Sequence, residues 1–329
     1  MTSPLALAQV TYEVPDLDLQ ERFLTDFGLV RAARTEDALY MRGAGAAHHI
    51  HVSRRADRQG FVGASFEMAT RADLEILARF PEASPVRPAS EPGGGEEVVM
   101  HTPDGVEIRA IFGRATQPPL PTRAPNGFNN SIEKGRVDAS VRWQGHPNGW
   151  QPQTIGQDTW QRRLKPCEAL RLGHFVLHVR NHDETVRWFQ MRFGLLASDY
   201  FLPTGEVGPV VGTFLRFDHG ATPVDHHVLL VLQSNWVGVH HCSFEVADLD
   251  AIMGAHEYLL ARGWTLDCGI GRHMLGSQIF DYWKDPFGFR VEHYTDGDVA
   301  TADYVPTRYN GTASQTTQWG MEPSLDFFQ

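Results

Sequence analysis

The stretch LGHFVLHVRNHDETVRWFQMRFGLL, Leu172–Leu196, decides the fold, because LAQVTYEVPDLDLQERFLTDFGLV, Leu7–Val30, carries the same pattern. Each reads as an alternating strand, an acidic turn, an amphipathic helix and then Phe-Gly-Leu. Two more matches follow in order. GASFEMATRADLEILARF from Gly63 parallels HCSFEVADLDAIMGAHEYLLARGW from His241, and TPDGVEIRAI from Thr102 parallels DPFGFRVEHY from Asp285. Each half therefore holds two units that begin strand-helix and continue with short strands, a βαβββ arrangement. The expected fold is α+β, with two domains that are each a pair of βαβββ modules. The expected boundaries are 1–114 for the first domain, 170–300 for the second and 301–329 for a C-terminal tail. Residues 115–169 are rich in Pro, Gly, Asn, Gln and Trp with little periodicity. That composition predicts a linker packed over the surface or against a partner subunit, so a homo-oligomer is expected.

At 329 residues the chain is long enough for two ordinary cores, and 42% hydrophobic with 21% charged residues is a globular composition. The formal net charge of -11 argues against nucleic acid or an anionic membrane as partner and favours a small molecule. Cys167, Cys242 and Cys268 form no CxxC spacing and cannot all pair, which predicts a reducing, cytoplasmic setting. MTSPLALAQVTYEV lacks a basic start and a long apolar core, so neither export nor membrane insertion is expected.

The repeat also compares the two halves residue by residue. Where the second half has His174, His241 and Glu292, the first has Gln9, Gly63 and Arg109. A structural need would recur in both copies, whereas a trio kept in one copy points to chemistry, so the first domain is expected to lack a metal site. Strand alternation puts His174, Val176 and His178 on the face opposite Phe175, Leu177 and Val179. It likewise separates His241, Ser243 and Glu245 from Cys242, Phe244 and Val246, and Glu292 from Val291. Two imidazoles and one carboxylate aimed into one concavity suit Fe(II) with open positions, and Mn(II) could use the same set. Zinc hydrolysis is the competitor, although its helical HExxH spacing is absent.

HFVLHV with His174, HHCSFEV with His241 and KDPFGFRVEHY with Glu292 resemble the type I extradiol ring-cleaving dioxygenases of the vicinal oxygen chelate superfamily, which has a glyoxalase-like fold. The resemblance covers both domains outside the linker and tail. It implies that His174, His241 and Glu292 are iron ligands, that His227 is the acid-base residue, and that His273 and Tyr282 contact substrate oxygens. Adjacent His226 is expected to point away from the site. The substrates implied are O₂ and a substituted catechol, opened next to the diol. Some relatives carry an Asn two residues after the first ligand and an Arg five before the later His; here Val176 and Cys268 stand there. The alternatives are another metal-dependent enzyme of the superfamily, a glyoxalase-like isomerase or thiol transferase, or a non-catalytic small-molecule binder. His178 is expected to be a satisfied core histidine. His48, His49 and His51 are read as strand or interface residues.

Overall fold

A computed structural model describes residues 2, 4–125, 127, 129–134, 150–152, 160–162, 164–202, 208–310, 316–321 and 327. The expected linker and tail therefore lie partly outside the described residues. An eight-stranded sheet comprises β1 (Pro4–Val14), β2 (Val30–Arg34), β3 (Ala38–Arg42), β4 (His51–Arg55), β5 (Gly60–Met68), β6 (Arg87–Pro88), β7 (Glu96–His101) and β8 (Glu107–Phe112). Its order is β2-β3-β4-β1-β5-β8-β7-β6. Helix α1 (Leu17–Asp26) follows β1, and α2 (Arg71–Leu77) follows β5. Within the linker, β9 (Trp150–Pro152) pairs with β10 (Trp160–Arg162).

The second half repeats the plan. Its strands are β11 (Arg171–Val179), β12 (Leu196–Phe201), β13 (Gly212–Arg216), β14 (Val224–Asp225), β15 (Leu229–Gln233), β16 (Gly238–Glu245), β17 (Thr265–His273), β18 (Ile279–Lys284) and β19 (Arg290–Thr295). Helices α3 (His182–Phe193) and α4 (Leu249–Ala261) follow β11 and β16. Three short strands close the chain: β20 (Val299–Ala300), β21 (Thr307–Tyr309) and β22 (Thr317–Gly320). Without its two edge additions, β21 and β22, the large sheet runs β12-β13-β15-β11-β16-β19-β18-β17, the same order as the first sheet. The fold is thus the α+β pairing of βαβββ modules that the repeats predicted.

Local sequence explains these elements. Asp16 starts α1 by accepting the amides of Asp18 and Leu19, and Leu17, Gln20, Phe23 and Leu24 then line its buried face at helical spacing. Asn181 and Asp248 cap α3 and α4 in the same way. The repeated Phe-Gly-Leu has a backbone reason: Gly194 sits at φ 64° where α3 ends, a left-handed conformation that glycine adopts freely.

One aromatic core joins the halves. Phe66 of β5 meets Phe193 of α3 at 4.6 Å between ring centroids, and Tyr12 meets Phe289 at 4.7 Å. His293 stacks on Phe27 at 3.7 Å and donates through Nε2 to its carbonyl. Burying a ring such as Phe66 contributes about 2–3 kcal/mol. At the periphery of this core the Asp26 carboxylate accepts from Tyr258 Oη at 2.8 Å and from Arg262 Nε and Trp264 Nε1, both at 2.9 Å. No helix among the described residues is long and apolar enough to cross a membrane.

Removing the Asp26 carboxylate takes the shared acceptor from the partly buried Tyr258 and Trp264 of the other half, while exposed Arg262 turns to water. Asp26→Ala is expected to lower unfolding free energy by about 2–3 kcal/mol, read from the urea midpoint at unchanged slope, whereas Asp18→Ala on the exposed side of the same helix stays within about 0.5 kcal/mol.

Candidate metal centre

Three neighbouring strands build the centre. His174 lies on β11, opposite Ser243 of β16, and Ser243 pairs in turn with Glu292 of β19. His241 is two residues before Ser243 on the same face. The result is a tight triangle. His174 Nε2 is 3.2 Å from His241 Nε2 and 3.1 Å from Glu292 Oε2, and His241 Nε2 is 3.5 Å from the same oxygen. All three side chains are buried, and one ligand atom from each lies within 4.8 Å of the others.

The surroundings fit a cation. Glu292 is fully buried, yet neither carboxylate oxygen accepts a well-aligned hydrogen bond, the imidazoles of His174 and His273 standing nearest. An anion in the interior without well-aligned donors needs a positive partner. Burial by itself would raise the Glu292 pKa, but His174 and His273 beside it reverse that and hold it well below the usual carboxylate range. The set of two imidazole nitrogens and one carboxylate oxygen suits a divalent transition-metal ion with open positions.

His273, at the end of β17, and Tyr282, on β18, meet at 2.9 Å between Nε2 and Oη, and His273 Nε2 is 3.7 Å from Glu292 Oε1. Tyr282 pairs directly with Glu292 across the strands. Burial, reinforced by the Glu292 charge, raises the Tyr282 pKa well above its ordinary value and keeps the phenol protonated. His227 lies on the lead-in to β15 rather than within it, and its ring is 4.2 Å from that of His174. The six residues singled out from the sequence thus surround one cavity, with Glu292 beneath it.

Sequence reading missed the network behind them. His226 Nε2 donates to Asp199 Oδ2 at 2.7 Å, and the Nδ1 atoms of His226 and His227 meet at 3.1 Å. This pairing makes His226 Nδ1 the acceptor and His227 Nδ1–H the donor, which leaves the His227 Nε2 lone pair available. Burial, then the neighbouring His174 and His226, pushes the His227 pKa well below its ordinary value, so the ring is neutral in the free protein. Desolvation is the larger cause, since a buried imidazole disfavours its charged form.

A second relay stands behind His241. A β-bulge at His240, visible as a register shift between Val176↔His241 and Leu177↔Val239, turns both histidines toward the cavity. Their Nδ1 atoms are 2.6 Å apart, and His240 Nε2 donates to the Phe327 carbonyl at 2.8 Å. The tail thereby orients an imidazole that orients His241. The doublets His226-His227 and His240-His241 were the visible sequence signal. His178 also departs from expectation: it is buried on the cavity wall with no partner on either ring nitrogen, because no polar group of the opposing strand reaches it.

The first half keeps the scaffold without the triangle. Gln9 pairs with Ser65, and Ser65 with Arg109, in the register of His174, Ser243 and Glu292. Glu91 fills the space, accepting from Gln9 Nε2 at 2.8 Å and facing His49 Nε2 at 3.4 Å and Arg54 Nη2 at 3.1 Å. Burial opposes its charge, but His49, Gln9 and Arg109 hold its pKa well below the usual range.

Residues 171–293 match the family model described as the Glyoxalase/Bleomycin resistance protein/Dioxygenase superfamily. Metapyrocatechase 2 of Cupriavidus necator is 27% identical over 315 residues, 95% of this chain and 85% of its own length. Two solved structures share the fold. The Mn(II)-bound glyoxalase from Novosphingobium aromaticivorans superposes with a TM-score of 0.78 at 21% identity, over 100% of this chain and 95% of its own. Homoprotocatechuate 2,3-dioxygenase from Brevibacterium fuscum, in complex with 3,4-dihydroxyphenylacetate, gives 0.77 at 17% identity, over 99% of this chain and 92% of its own.

Because the Glu91 pKa is depressed on folding, its contribution to stability is present above the ordinary value of 4.5 and fades as pH falls below it. Glu91→Gln, which removes the carboxylate facing Arg54 and Arg114 while Arg109 keeps Glu97 and Glu107, is expected to cost about 3 kcal/mol at neutral pH. The gap to the parent protein should narrow progressively below about pH 4.5 in urea titrations.

Proposed function

We propose that this chain, a relative of metapyrocatechase 2 whose residues 171–293 match the glyoxalase/bleomycin resistance protein/dioxygenase family model, is an Fe(II)-dependent extradiol dioxygenase that opens a substituted catechol next to its diol with O₂. The observation that carries the reading is the buried Glu292 carboxylate, without a well-aligned hydrogen bond, converging with two imidazole Nε2 atoms on one point. His174, His241 and Glu292 would hold the ion on one side and leave the cavity side open. When bound, such an ion acidifies a coordinated diol and brings it beside O₂.

The chain's own groups divide the remaining work. His227 presents a free Nε2 lone pair toward the cavity, so it accepts a proton from a bound diol hydroxyl and can return it later in the cycle. The Asp199–His226 relay fixes that tautomer and stabilises the positive charge the ring acquires. Tyr282, kept protonated by burial, holds a substrate oxygen by hydrogen bond while His273 fixes the phenol at 2.9 Å. The cavity walls, which include Val176, Phe214 and Leu230, exclude water around the ring. An isomerase or thiol transferase on the same metal set would need no such arrangement of His227, His273 and Tyr282.

The test is anaerobic loading with ferrous iron, then addition of oxygen and a catechol panel. A yellow ring-fission product with equimolar O₂ uptake is expected, and isomerisation of a hemithioacetal without O₂ uptake would replace this reading. His227→Ala is expected to lose about 10²–10⁴-fold in kcat while retaining iron, whereas Glu292→Gln should lose the iron itself, measured by metal analysis after gel filtration.

A further inference from the structure

The cavity of about 290 Å³ above the candidate metal centre extends along β11 from His174 past Val176 to His178. Four residues of strand span roughly 13 Å. That exceeds one aromatic ring, so whatever meets His178 belongs to the far end of a substituent rather than to the diol ring. The walls between are apolar, with Val176, Phe214, Leu230 and Leu232 among them, and no described Lys or Arg lines the cavity.

His178 interrupts that apolar lining. It is 8% exposed, and neither Nδ1 nor Nε2 has a partner. Its own packing explains its position without satisfying it. Trp236 lies against the ring at 4.4 Å between centroids, a placement allowed by Gly238 opposite His178 in register, where a Cβ would come within 2.4 Å of the indole. Burial, then Arg290, lowers the His178 pKa to about 4, which leaves a neutral imidazole with one N–H and one lone pair. Two orphaned polar atoms in a greasy wall cost stability unless something in the cavity pairs with them.

Resting on the ring-opening reading above, we infer that His178 is a specificity-determining residue that hydrogen-bonds an uncharged oxygen-bearing group at the distal end of a long, otherwise apolar catechol substituent. A hydroxyl can use either ring nitrogen, and a carbonyl accepts from the N–H. Arg290, the guanidinium nearest His178, does not line the cavity and is held by Asp267, so a carboxylate there would be buried without a cation of its own and an acid-ended substituent is disfavoured.

Three probes test this: a hexyl-substituted catechol, the same compound with a ketone near the chain end, and the same chain ending in a carboxylate. The Fe(II)-loaded full-length protein is measured for kcat/KM and, anaerobically, for Kd by calorimetry. The parent is expected to prefer the ketone over both others by about tenfold, the value of one hydrogen bond. His178→Leu, of similar size, should abolish or invert the ketone-to-hexyl ratio, and His178→Gln, which restores a donor, should recover part of it. An unchanged ratio in His178→Leu, no ketone preference in the parent, or a preference for the carboxylate overturns the inference. If no catechol is opened but the Kd ratio still follows position 178, the ring-opening reading falls and the role of His178 stands. If rings are opened with a flat ratio, the reverse holds.

Discussion

A carboxylate buried against two imidazoles without a well-aligned hydrogen bond is the constraint around which the C-terminal half is organised. Glu292 occupies an inner strand, and its neighbours across the sheet decide what it faces. Parallel pairing with β16 sets Ser243 opposite it, antiparallel pairing with β18 sets Tyr282 opposite it, and β11 brings His174 from one strand further. A slip of one residue on β19 would send the acid into the aromatic core and Val291 into the cavity. The sheet order is therefore also the order of the site.

Both sheets have that order, so the fold alone does not make a metal centre. In the first half the same register positions carry Gln9, Gly63 and Arg109, and the space closes over Glu91 and its guanidinium partners. His49 is the positional counterpart of His227, since Val10 N bonds the carbonyl one residue after His49, just as Phe175 N bonds the carbonyl one residue after His227. The Nδ1-to-Nδ1 contact survives there too, at 3.0 Å between His48 and His49. One copy sets its imidazole pair beside a buried triangle; the other sets His49 against an acid whose charge the arginines Arg54, Arg109 and Arg114 meet.

The repeat, the strand alternation and the three positions of the His-His-Glu triangle were legible because they depend on local period and on comparison within one chain. Residues that depend on distant partners were less so. His240 sits at a bulge, and an unbroken two-residue period places it on the wrong face; Val62 is skipped at the equivalent point of the first half, which no sequence period records. Asp199 reaches His226 from a strand 27 positions away, and Phe327 reaches His240 across 87. His178 looked like core because its strand neighbours are, and only the cavity in front of it reveals that its nitrogens go unanswered.

The aromatic seam between the halves has a consequence for how such a chain can change. Phe66, Phe27 and Tyr12 of the first half are packed against Phe193, His293 and Phe289 of the second, so the copy without the His-His-Glu triangle is packed against the copy that has it. Excising the silent copy would lay a ring-lined surface open to solvent. The first half can therefore differ from the second in its pocket, but its rings at the seam are fixed by the shape of the other half.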